Sequence, residues 1–248
     1  RGALIREFIR VVDEARPKTF LFENVPGMKS VNKGRVLKEI LNAFDEIGYT
    51  TNCDILNAAD YGVPQMRKRL FIIGHRDGTR LEFPPAGKKW VTVKDAFRRM
   101  TEEGWDTKRP DNKGFRHSPE MIERMSLIKQ GQNFWSLPLD RRPSCWRNGK
   151  HQGKDTFGRI EPDKPAPTIR TCGYNPTKGK YIHPYENRGL TTLEMAVLQT
   201  FPKNFVFEGG LVQIGRQIGD AVPVLLAEKI AEHILVQLSG KLVQARLQ

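Results

Sequence analysis

Glu23 and Asn24 end the run Lys18-Thr19-Phe20-Leu21-Phe22 and stand just before Val25-Pro26-Gly27. A continuous apolar run stopped by a turn reads as a strand buried on both faces, as in a parallel sheet. Ligands of open α/β sheets collect at the carboxyl ends of such strands. The carboxylate of Glu23 is therefore placed either for acid–base chemistry or only to cap the turn that follows. A second polar set lies in Gln65-Met66-Arg67-Lys68-Arg69. Side chains two apart on an extended segment point the same way, so Arg67 and Arg69 share a side, which by itself also suits a solvated strand start. Cys53, Cys145 and Cys172 are scattered and odd in number. They fit neither a disulfide framework nor a metal knuckle, which leaves no metal site and implies a reducing, intracellular setting.

The elements that must position these groups follow from periodicity. Residues 2–15 predict an amphipathic helix, already under way where the chain begins, and residues 18–24 the buried strand. Residues 33–47 predict a second helix closed by Gly48, and residues 49–56 a strand. Asn57 to Gln65 reads as a loop, and Arg69 to Arg76 as a strand joined closely enough to the previous one to pair antiparallel. This is half of a doubly wound sheet, and no glycine-rich cofactor loop follows any of its strands. Residues 190–201 predict a helix capped by Thr191 or Thr192, and residues 222–238 a last one. The expected fold class is α/β: part of a Rossmann-like sheet plus a small irregular, β-containing domain. The expected segments are 1–83 for the sheet, 84–187 for the insert and 188–248 for a helical return to the sheet domain.

Charge separates the classes of partner. The chain of 248 residues carries 41 Lys plus Arg against 28 Asp plus Glu, a formal net charge of +13. That excess favours a polyanion, nucleic acid first. Residues 84–187 hold 21 of the basic and 12 of the acidic residues, and residues 141–180 alone hold 10 and 3. Aromatics are interleaved there (Phe134, Trp135, Trp146, Phe157, Tyr174), as on a nucleic-acid surface, although a solvated loop face has the same composition. No apolar run approaches the length of a membrane span, so no membrane partner is expected.

The order of the motifs resembles the C-terminal two thirds of a DNA cytosine C5-methyltransferase. Glu23-Asn24-Val25 with Pro26 resembles that family's Glu-Asn-Val motif, and Gln65 to Arg69 its Gln-x-Arg-x-Arg motif. Arg188-Gly189-Leu190-Thr191, Glu194, Leu198-Gln199 and Phe201-Pro202 resemble the motif after the target-recognition region. Gln217-Ile218-Gly219-Asp220-Ala221-Val222-Pro223 resembles the final one. Two family motifs are absent: the Phe-x-Gly-x-Gly cofactor loop and the Pro-Cys pair of the nucleophile, both of which would precede Arg1. Asp220 stands where the family usually has Asn.

The resemblance implies methyl transfer from S-adenosylmethionine to cytosine C5 in double-stranded DNA. A thiolate adds to C6, and charge pushed onto the ring is relieved by a carboxyl group near N3. It implies Glu23 as that acid, buried enough to favour its protonated form, with Asn24 shaping its loop. It implies Arg67 and Arg69 on the target nucleotide, which must be flipped out of the helix, and Gln65 ordering the loop beside it. The insert becomes the target-recognition domain, with Arg159, Thr168, Arg170 and Thr171 as DNA contacts or as supports of the small domain. Gln217, Asp220 and Val222 become the cofactor side, with helix capping as the other reading of Asp220. The expected protein is a fragment or subunit of a restriction–modification methyltransferase, inactive until a second polypeptide or an N-terminal segment supplies the cysteine. Its expected place is the bacterial or archaeal cytoplasm, on the nucleoid. The alternative is a non-catalytic sequence-specific DNA-binding or regulatory partner. With the neighbouring strand missing, Phe20, Leu21 and Phe22 are expected to line an open apolar sheet edge.

Overall fold

Apolar periodicity sets the elements of this computed structural model, which describes residues 2–87, 89–147, 153 and 155–246. In chain order they are α1 (Gly2–Ala15), β1 (Thr19–Asn24), α2 (Arg35–Glu46), β2 (Thr50–Asn57), β3 (Gln65–Met66) and β4 (Lys68–His75). Then come α3 (Val93–Glu102), α4 (Pro119–Ser126), α5 (Ser144–Arg147), β5 (Ala166–Pro167), α6 (Thr192–Leu198), α7 (Leu211–Asp220) and α8 (Val224–Arg246), with short 3-10 turns between several of them. Of the basic stretch 141–180, Lys150 and Lys154 lie outside the described residues. The chain divides into two compact units.

The first unit comprises Arg1–Asn57, Lys68–Ala86 and Glu228–Gln248. Its sheet has the order β1-β4-β2, and β4 runs antiparallel to both neighbours. β1 and β2 thus run the same way with α2 between them, yet β4 separates them. The expected antiparallel pairing of the second and third strands is present. The expectation of a β1 buried on both faces in a parallel ladder is corrected. β1 pairs antiparallel along its full length, from Thr19↔His75 to Asn24↔Leu70, and forms an edge of the sheet. Phe20 and Phe22 alternate inward against Phe8, Leu37, Ile40 and Phe44. The Phe20 and Phe44 ring centroids lie 4.3 Å apart. Leu21 faces the other way and is 38% exposed. The open edge therefore presents one apolar side chain rather than three.

The second unit comprises Ala58–Arg67 and Gly87–Ala227. Its main core gathers Ile160, Ile169 and Tyr181 of the insert with Leu193, Met195 and Leu198 of α6 and Ile214 and Ile218 of α7. A smaller core joins Met125, Phe134, Trp146, Phe157 and Ile182. Residues 188–227 thus share a core with the insert, and the compact units divide the chain differently from the three sequence segments. α6 carries a capping box, Thr191 accepting from the Glu194 backbone and Glu194 from that of Thr191. α7 has no counterpart in the sequence reading, because its glycines dilute the helical signal. The β-structure of the insert is slight: β5 pairs with β3 in parallel, and single bridges join Arg159, Ile182 and Gly189.

Candidate functional site

Strand pairing in the first unit positions Glu23. It lies opposite Phe71 at the carboxyl end of β1, on the sheet face that also carries Arg69 two residues before Phe71. The diagonal brings Arg69 Nε to 2.9 Å from Glu23 Oε1, with both side chains mostly buried. The sequence reading placed Glu23 in surroundings that keep it protonated; in the structure it is ion-paired. Asn24 Oδ1 accepts from the Val25 backbone N–H at 2.8 Å and so fixes the exit of the strand before Pro26.

Arg67 is placed quite differently from Arg69. It is 1% exposed and donates to the carbonyls of Ile169 (2.9 Å), Gly219 (2.9 Å) and Ala221 (3.0 Å). Its guanidinium therefore ties the 166–171 strand-loop to the end of α7. Gln65 completes the tie. Its amide donates to Leu198 O and Gln199 Oε1, and its carbonyl oxygen accepts from Ile169 N at 2.7 Å. Gln199 in turn donates to Ile218 O and Ala221 O. Thr168 Oγ1 donates to Met66 O, and Tyr181 donates to Thr168 O at 2.8 Å. Burial pushes that phenol up to about 12, so it remains a donor throughout the ordinary pH range. The expectation that Arg67 and Arg69 act on one side is corrected: the first belongs to a buried backbone network, the second to an ion pair. Gln199 and Tyr181 were missed as site residues. For Gln199 the signal was its adjacent motif pair; for Tyr181 there was none.

α7 approaches this loop because it has no side chains in the way. A Cβ on Gly219 would overlap the backbone of Arg170 and Thr171, and one on Gly215 would overlap Thr171 O and the Tyr174 ring. Thr168 and Thr171 are half-buried, whereas Arg170 is exposed at the turn closed by Gly173 N–H to Arg170 O.

Arg159 is corrected as a DNA contact. It is 6% exposed, and its donors reach Ile128 O, Met125 O, His183 O, Glu186 O and Asn187 Oδ1 at 2.6–2.7 Å. Those five bonds use every N–H that a guanidinium has. Beside it, His183 stacks on Phe97 and accepts at Nδ1 from the Tyr185 and Glu186 backbone N–H groups, and burial lowers its basicity. Of the cofactor-side residues, Gln217 has its amide N–H groups on Glu208 O and Gln213 O. Asp220 is exposed and Val222 half-buried. No cluster of three metal-ligating side chains occurs among the described residues.

The model of C-5 cytosine-specific DNA methylases matches residues 1–236. Type II methyltransferase M1.HphI of Haemophilus parahaemolyticus is 37% identical over 238 residues, covering 95% of this chain and 61% of its own length. Type II methyltransferase M.Eco47II of Escherichia coli is 35% identical over 243 residues, covering 95% and 58%. The chain thus spans about three fifths of the length of these curated relatives. Among solved structures, a DNA modification methyltransferase encoded within an E. coli prophage superposes with a TM-score of 0.72 at 24% identity, over 96% of this chain and 74% of the other. A mutant of Spodoptera frugiperda DNMT2 gives 0.57 at 13% identity, over 92% and 70%. These two likenesses concern the α/β fold.

Proposed function

The chain belongs to the C-5 cytosine-specific DNA methylase family, and on that premise we propose that it supplies the base-side acid and a DNA-contact surface for cytosine C5 methylation. The observation that supports this reading best is the ion pair of Glu23 with Arg69 at the carboxyl end of β1. A thiolate adding to cytosine C6 drives negative charge toward N3. Glu23 takes up a proton from solvent and donates it to N3 as that charge grows, while Arg69 orients the carboxyl group. Asn24 holds the turn that presents it.

None of Cys53, Cys145 and Cys172 follows a proline. In this proposal the nucleophile comes from a further segment or second polypeptide. S-adenosylmethionine, when bound, supplies the methyl group. Asp220 and Val222 fit one side of its site: an exposed carboxylate suits an amine or hydroxyl donor, and the valine offers an apolar wall. Their loop is fixed by the bonds of Arg67 and Gln199 to the carbonyls of Ile218, Gly219 and Ala221. Gln217 contributes little, since its N–H groups are already used. Double-stranded DNA is the proposed substrate, with Arg170 and Thr171 as contacts on a firmly held loop, and the bacterial or archaeal cytoplasm is the proposed setting.

The test mixes the chain with a polypeptide carrying the Pro-Cys segment and follows labelled methyl transfer to DNA. No transfer is expected from the chain alone, transfer on addition, and loss of it with Glu23→Gln. Restored activity that is indifferent to Glu23→Gln would refute the role given to that residue.

A further inference from the structure

The positive charge of the insert is concentrated, by sequence, in residues 141–180. The hydrogen bonds divide the arginines of this stretch and its surroundings into two kinds. Arg142 bonds Leu137 O and Trp135 O, Arg147 bonds Arg142 O and Asp140 O, and Arg141 pairs with Glu123. Together with Arg159, these guanidinium groups hold the fold of the insert itself. A phosphate would have to displace those partners to bind there.

Four arginines of the second unit are exposed and make no side-chain hydrogen bond or ion pair among the described residues: Arg99, Arg116, Arg170 and Arg216. The last three come from three separated stretches that meet at one turn. Arg170 opens the Arg170–Gly173 turn. Gly215 and Gly219 of α7 lie against Thr171, Tyr174 and the Arg170 backbone. Arg216 follows Gly215 directly and precedes Gly219 by three residues, so it borders that contact strip. Phe115 stacks on Tyr174 with centroids 6.3 Å apart, which places Arg116 beside the same turn. Asp220, one helical turn beyond Arg216, is the acidic group of α7 nearest to this set. The turn beneath is among the most firmly held segments of the second unit, since Gln65, Arg67, Thr168 and Tyr181 all bond its approach.

We infer that Arg116, Arg170 and Arg216 form one phosphate-binding surface for the DNA backbone, and that Arg141, Arg142, Arg147 and Arg159 do not. The inference rests on the DNA-binding reading above and names the residues that carry it. Exposed guanidinium groups without protein partners give up only water on binding, so their bonds to phosphate displace no contact of the fold, and the held turn beneath fixes where their backbones stand. Arg216 lies outside the insert, so the surface is assembled from the insert and the following helix together.

The experiment measures binding of the full 248-residue chain to a double-stranded oligonucleotide by fluorescence anisotropy, between about 50 and 200 mM salt. Each phosphate contact removed is expected to lower the steepness of log K against log salt by about 0.9. Arg116→Ala, Arg170→Ala and Arg216→Ala combined should therefore flatten it by about 2.7. Arg141→Ala should leave the slope unchanged. Thermal melting of each variant verifies folding, which exposed substitutions should preserve. A wild-type chain that binds with a steep slope, unaltered in the triple variant and lowered in Arg141→Ala, overturns the inference. A wild-type chain without salt-dependent binding overturns the DNA reading itself.

Discussion

Replacing Arg67 separates the two roles that its position allows. The side chain is buried and donates to three backbone carbonyls, of which, among the described residues, only that of Ala221 has a second side-chain donor, from Gln199. Hydrogen bonds from a charged group contribute about 1.5–3 kcal/mol each, and they are not additive within a network. Removing one side of a buried charged interaction costs about 3–5 kcal/mol. Arg67→Ala should therefore destabilise the second unit by about 4 kcal/mol, and Arg67→Lys, with fewer and unforked donors, by about half as much. All four tryptophans (Trp90, Trp105, Trp135, Trp146) lie in that unit, so intrinsic fluorescence reports its unfolding. With a urea slope of about 2 kcal/mol per molar, the midpoint of Arg67→Ala should fall by about 2 M. An unchanged midpoint together with weakened DNA binding would refute the reasoning, because it would assign Arg67 to the DNA and not to the fold.

Gly219→Ala should destabilise the same unit by about 1–3 kcal/mol in urea unfolding, since the new methyl group meets backbone at Arg170 and Thr171. Gly27→Ala, where a Cβ meets nothing within 4 Å, should serve as the near-neutral control. His183 is buried with its basicity lowered by burial, so the unfolded chain binds a proton more readily than the folded one. Its contribution is present above the unfolded value of about 6.5 and is lost as pH falls through the depressed folded value. The urea midpoint should accordingly decline on acidification below about pH 6.5, and His183→Gln should flatten that decline. His117, lowered by burial in the same direction, adds to that decline. A midpoint that rises on acidification in this range would contradict the assignment. Leu21→Lys should reduce self-association in light scattering, because it places a charge on the exposed side of an edge strand; unaltered scattering would show that the edge is not the sticky surface.

Sequence alone determined the elements of residues 1–76, the positions of α6 and α8, and the order of the motifs. The apolar spacing of Leu37, Ile40 and Phe44 specifies α2, and the alternation of Phe20 and Phe22 about Leu21 is legible once one face is known to be covered. Glu23 was legible as a carboxylate at the end of such a strand, for acid–base chemistry or for capping the turn, and only the resemblance of its motif favoured the first. Tertiary structure decided which charges are available. Arg67, Arg69, Arg159 and Arg170 are the same residue type in comparably basic surroundings. Yet Arg67 meets carbonyls 102 and 152 residues away, Arg159 spends all its donors on four backbone carbonyls and the Asn187 side chain, Arg69 finds Glu23 across a strand pair, and Arg170 meets water. No local pattern encodes those outcomes, since a guanidinium takes whichever acceptors the folded chain brings within reach, and a buried carbonyl must find a donor wherever one is supplied.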